Sequence, residues 1–170
     1  MKKITKLFLV SVVLMATAYG ASAQSTANAT ASATILTAIS ITKTVDMNFG
    51  NISVQAATGG TVILSTAGVR STTGGVTLPA TGGTVTAASF TVGGEASYTY
   101  SITLPVTAHT ISSGANNMTV TAFLSNPATM GTLTGGSQTL TVGATLNVTA
   151  AQPNGLYISE TGFNVTVNYN

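Results

Sequence analysis

From Ile39 onward the chain alternates. Ile39, Ile41, Val45, Met47 and Phe49 are apolar, and Ser40, Thr42, Thr44, Asp46 and Asn48 stand between them. This period of two marks a strand with one buried face. Lys43 interrupts the apolar row, so either the strand divides there or Lys43 lies at the sheet rim and reaches for water. After Phe49 the apolar residues move to even positions: Ile52, Val54 and Ala56. A strand keeps its parity, so the change requires one extra residue, and the sequence predicts a β-bulge or tight bend at Gly50. Further strands are predicted at 62–65, 75–78, 85–92, 98–104, 118–124, 139–148, 155–159 and 163–169. Several alternate cleanly: Tyr98, Tyr100, Ile102 and Leu104; Met118, Val120, Ala122 and Leu124; Leu140, Val142, Ala144, Leu146 and Val148.

Turn residues punctuate these runs. Thr-Gly-Gly occurs at Thr58, Thr73, Thr81 and Thr134, with Gly93-Gly94, Ser113-Gly114 and Pro153-Asn154-Gly155 at other junctions. Glycine supplies the positive φ of tight hairpin turns, and the irregular spacing reads as shared turn chemistry rather than as a sequence repeat. Helix signals are nearly absent beyond the first two dozen residues. Roughly eight to ten short strands predict an all-β fold, an immunoglobulin-like antiparallel β-sandwich, in preference to a small barrel.

The beginning of the chain reads differently. Lys2, Lys3 and Lys6 precede an apolar run at 7–16, and Ala21-Ser22-Ala23 offers small residues where a signal peptidase cuts. This is the pattern of a helical secretory signal peptide at 1–23, cleaved between Ala23 and Gln24. The run is about half of the ~20 residues a spanning helix needs, so no membrane span is expected after cleavage. An arm follows at 24–34, with Ala27, Ala29, Ala31 and Ala33 as its apolar positions, and the sandwich domain occupies 35–170. Alanines bury little area, so the arm is expected to add backbone bonds to a sheet edge, or to form a weak first strand or a loose tail.

Composition narrows the function. Charged residues make up only 5% of the 170, hydrophobic residues 44%, and neither Cys nor Trp occurs. Once the leader is gone, Lys43 and Arg70 stand against Asp46, Glu95 and Glu160, which leaves no basic patch for nucleic acid. The single imidazole, His109, is placed in a loop with no nucleophile elbow nearby. One His and no Cys cannot close a zinc shell, three scattered carboxylates do not predict a glycosidase pair, and the Gly pairs lack the Lys-Ser/Thr of a phosphate loop. No enzyme, metal or cofactor is expected. A Thr, Ser and Asn surface stays wet without charge, and its near-zero net charge favours self-association.

Three stretches carry a resemblance: residues 39–52, residues 88–105, and residues 140–148 with 153–157 and 163–170. Together they resemble the secreted bacterial domains grouped as domain of unknown function 4402. The Asn48-Phe49-Gly50 strand end and the alternating final strand with Tyr169 are similar, at one remove, to chaperone-usher fimbrial subunits and spore coat protein U domains. That resemblance implies that Phe163, Val165, Val167 and Tyr169 form an assembly strand held by a periplasmic chaperone and a groove filled by a neighbour's N-terminal extension. The chain departs from the fimbrial pattern in an arm whose apolar positions are all alanine and in its missing disulfide.

The expected protein is therefore exported, to the periplasm, cell surface or extracellular space. It is expected to be a non-enzymatic structural component, fimbrial-like or adhesin-like, whose partners are copies of itself or other surface subunits. The rival is a small carbohydrate-binding module using exposed tyrosines among Tyr98, Tyr100, Tyr157 and Tyr169. Exposure of the shared Tyr98 and Tyr100 face would favour the rival, as would a cleft gathering Asp46, Glu95, Glu160 and His109 an enzyme.

Overall fold

A computed structural model of the protein describes residues 23–170. The lysines and apolar run of the expected leader, with Ala21, lie outside the described residues. The chain divides into two units, Met1–Ile35 and Leu36–Asn170. In the first, residues 23–35, including Ala23 and Gln24, are exposed and carry no regular secondary structure. Among the described residues no helix is long and apolar enough to cross a membrane.

The second unit is all-β and antiparallel throughout. Its strands are β1 Ser40–Val45, β2 Ser53–Val54, β3 Gly60–Leu64, β4 Arg70–Gly74, β5 Val76–Thr77 and β6 Ala88–Gly93. They continue with β7 Thr99–Thr103, β8 His109–Ser113, β9 Asn116–Asn126, β10 Met130–Thr132, β11 Ser137–Val148 and β12 Thr166–Tyr169. A seven-stranded sheet is organised around β11. Residues 137–142 of β11 pair with β6 and residues 144–148 with β3, while 141–147 also pair with β9. Strands β1, β4 and β8 extend this sheet outward from β6, β3 and β9. The opposing layer of the sandwich comes in two pieces, the sheet β10-β7-β12 and the ribbon β2-β5.

Two apolar clusters fill the space between the layers. Leu140 and Val142 of β11 join Phe90, Val92, Tyr100, Leu133 and Val167 in one. Ala144, Leu146 and Val148 of the same strand join Phe49, Val62, Leu64, Val76 and Val120 in the other. The predicted even-position face of β11 is thus a single buried stripe shared by both clusters. Gly143 sits where β11 passes from β6 to β3. A Cβ there would run into the Leu64 carbonyl oxygen and lie 2.7 Å from the Ser65 carbonyl carbon, so the close approach of the two strands requires glycine.

The bend at Gly50 is present: φ is +67°, and the Gly50 N–H donates to Asn48 Oδ1 at 2.8 Å. Phe49 is buried, Ile52 and Val54 are half-buried, and the parity changes as the sequence implies. Strand β1 runs through Lys43 without dividing, but its ladder to β6 shifts register between Lys43 and Val45. Lys43 extends into solvent and pairs with Asp46 at 2.6 Å.

Other expectations need correction. There are twelve strands among the described residues, because β4, β8 and β10 offer too few apolar side chains to leave a period of two. His109 therefore opens a strand rather than sitting in a loop. The segment 155–159 is no strand. Only Ile158 makes a bridge, to Ser112, and the Tyr157 hydroxyl donates to the Pro153 carbonyl at 2.8 Å, which curls the segment back on itself. In β9 the alternation breaks at Ala122, whose φ is +49°. Thr121 pairs with Thr145 and Leu124 with Gly143, so β9 carries one extra residue and a β-bulge. Phe123 thereby turns inward against both clusters, while Leu124 is 42% exposed rather than buried with Val120.

Candidate functional site

The final segment lies against the cluster of Leu140, Val142 and Tyr100. Val167 is buried within it, and Phe163, Val165 and Tyr169 are half-buried against it, so the four expected residues do share one face. Only 166–169 form the strand itself, with Phe163 and Val165 preceding it. Strand β12 pairs with β7 on one side and is the outer strand of its sheet. Tyr169 also does something the alternation did not reveal. Its hydroxyl accepts a hydrogen bond from the Glu95 N–H and donates one to the Thr37 carbonyl at 2.8 Å. The Glu95 carboxylate accepts in turn from the Thr37 N–H at 3.0 Å and the Thr37 hydroxyl at 2.8 Å. These bonds, the backbone one foremost, hold the Glu95 carboxyl below its ordinary value. The start of the folded unit, the β6–β7 turn and the final strand are thereby clasped at one point.

The tyrosines separate. Tyr100 has no exposed surface, its hydroxyl donates to Gln138 Oε1 at 2.9 Å, and burial raises its pKa. Tyr98 is 42% exposed and meets the Tyr169 ring edge-on, with centroids 5.9 Å apart. The face expected to hold both rings therefore delivers one to the core and one to the rim. Tyr157 is half-buried, and its hydroxyl also accepts from Gln152 Nε2 at 2.9 Å.

A cleft of about 970 Å³ opens into the sandwich, walled by residues of both clusters. Phe49, Phe90, Val120 and Leu146 are among its lining residues, with Lys43 of β1, Ser53 and Val54 of β2, and residues 152–159, 162 and 163. Leu156 and Ile158, on this last segment, border it while 78% and 60% exposed. His109 and Ile111 of β8 line it too, opposite Val120 and Met118 in the ladder. The His109 ring stands edge-on to Phe163 at 6.0 Å, and its Nε2 is buried with no hydrogen-bond partner. Asp46 and His109 border the cleft, whereas Glu95 and Glu160 do not. Among the described residues no three His, Asp or Glu side chains come together.

Sequence reasoning missed this cleft because its walls come from segments far apart in the chain. One local signal was available: His109 and Ile111 alternate ahead of the Ser113-Gly114 turn, which would fold them back onto Met118 and Val120. The model of the family described as domain of unknown function (DUF4402) matches residues 39–169. No curated protein and no solved structure matches the chain.

Proposed function

The chain belongs to the DUF4402 family, and from that premise we propose that it is an exported, non-enzymatic structural component, fimbrial-like or adhesin-like, of the cell surface or extracellular space. Its work is contact with copies of itself or with other surface subunits. The observation that carries this reading is the position of β12, an outer strand whose second edge has no ladder partner among the described residues. Such an edge offers backbone donors and acceptors to an added strand, whether from a neighbouring subunit or from a periplasmic chaperone. The exposed residues 24–34 are the segment to make that addition, and their small side chains demand no deep pocket. Export rests on the leader pattern ahead of Gln24. The burial of Tyr100 weighs against the carbohydrate-binding alternative, which loses half of its strand-face platform.

Size-exclusion chromatography of the protein with and without residues 24–34 tests the proposal. The longer form is expected to elute as oligomers and the trimmed form as a monomer. Two identical monomer peaks would overturn arm-mediated assembly.

A further inference from the structure

We propose that Asn154 is a self-modification site, whose side-chain amide closes on the backbone nitrogen of Gly155 to give a succinimide that water opens to aspartate and isoaspartate. The reaction needs no oxidant or reductant. The Gly155 nitrogen attacks Asn154 Cγ, a new C–N bond closes the imide ring, and the side-chain nitrogen leaves as ammonia, taking up through solvent the proton that the Gly155 nitrogen gives up. Water then adds to one of the two imide carbonyls. Opening one ring bond leaves an aspartyl side chain on the original backbone; opening the other routes the backbone through the side-chain carboxyl as isoaspartate. Either product replaces a neutral amide with an ionised carboxylate.

Chain and fold together single out this asparagine. Every other internal asparagine precedes a residue with a side chain, whereas glycine leaves the attacking nitrogen of residue 155 unshielded. Asn154 and Gly155 are both exposed. Their turn is held at its ends and free at its tip. The Tyr157 hydroxyl bonds the Pro153 carbonyl at 2.8 Å, but among the described residues neither the Asn154 side chain nor the Gly155 N–H has a hydrogen-bond partner. Elsewhere the amides are engaged: Asn51 donates to the Thr81 carbonyl at 2.9 Å, and Asn147 to the Thr119 carbonyl at 3.1 Å. Packing also selects glycine at 155. A Cβ there would run into Ser113 Oγ and lie 3.2 Å from Ser113 Cβ, where the turn rests on the end of β8. The contact that favours glycine therefore retains the residue that leaves Asn154 open to attack. Isoaspartate adds one methylene to the backbone inside the span closed by the Tyr157 to Pro153 bond, and sets a carboxylate two residues ahead of the exposed Leu156.

The test ages the full chain in mildly alkaline buffer and follows each asparagine by peptide mass mapping and enzymatic isoaspartate methylation. Asn154 is expected to convert ahead of every other asparagine. Hydroxylamine, which attacks the imide, is expected to cut the folded chain between Asn154 and Gly155. Because the tip of the turn is free, the folded chain should convert within about fivefold of the rate of the same chain in urea. Gly155→Ala, which hinders the nitrogen, and Asn154→Gln, whose ring would be one atom larger, are each expected to slow conversion at 154 about tenfold or more. Asn154→Gln keeps the glycine against Ser113, so it separates the chemistry from any change in packing, and circular dichroism establishes that each variant retains the fold. Faster conversion at another asparagine, stronger protection by folding than about fivefold, or undiminished conversion at 154 in either variant would each overturn the proposal.

Discussion

Gly143→Ala adds one methyl group at the most crowded point of the central strand. The new Cβ would meet the Leu64 carbonyl oxygen, the Ser65 carbonyl carbon at 2.7 Å and the Thr66 nitrogen at 3.0 Å. All three are backbone atoms, so no side chain can swing aside, and β11 and β3 must separate. Overpacking of this kind costs typically about 1–3 kcal/mol. The gain from a stiffer unfolded chain, roughly 0.4–1 kcal/mol, offsets only part of it. Gly162→Ala isolates that gain, because nothing lies within 4 Å of its Cβ position and its φ is not in the left-handed region. Urea denaturation followed by circular dichroism should show Gly143→Ala less stable by about 1–2 kcal/mol and Gly162→Ala unchanged or more stable by about 0.5 kcal/mol. For a domain of this size about 1 kcal/mol corresponds to a Tm difference of roughly 2–4 °C. The same stability for both variants would refute the argument that backbone proximity, rather than glycine content, governs this strand crossing.

Two further outcomes follow from the clasp and the bulge. The Glu95 carboxyl has its pKa lowered by folding, so its contribution is present above the ordinary value of 4.5 and is lost as pH falls through the lowered folded value. Glu95→Gln should therefore flatten that part of the acid unfolding curve followed by circular dichroism, while an unchanged curve would show that Thr37 does not stabilise the carboxylate. Ala122 adopts φ +49°, a conformation costing a residue with a Cβ about 1–2 kcal/mol. Ala122→Gly should hold or raise the urea midpoint and Ala122→Val should lower it, and the reverse order would dismiss the bulge.

The sequence revealed elements wherever one face is apolar and the other hydroxyl-bearing. The stripe from Leu140 to Val148 and the change of parity across Gly50 were legible because a period of two and a glycine are local facts. Strand β4 was not, since Arg70-Ser71-Thr72-Thr73-Gly74 buries no large apolar side chain and is held by its ladder to β3, with Thr61 and Thr73 hydroxyls 2.8 Å apart. Ala122 concealed its bulge because alanine rarely takes the left-handed conformation, so the run from Met118 to Leu124 looked uninterrupted. For the site, the inward alternation of Phe163, Val165, Val167 and Tyr169 was readable. The hydroxyl contacts of Tyr169 were not, because Thr37 lies 132 residues away in sequence. The unpartnered nitrogen of His109 was equally hidden, since the packing of its ring against Phe163 joins residues far apart in the chain.

The meeting of Thr37 with Tyr169 places the entry and the exit of the folded unit at the same pole. A pull applied through both ends would therefore peel the domain open from that pole, one bond at a time, instead of shearing its long strands past one another. Strung in a row through those ends, such domains would hang to the side of the line of tension like pendants from a cord, leaving their far ends free to meet the surroundings.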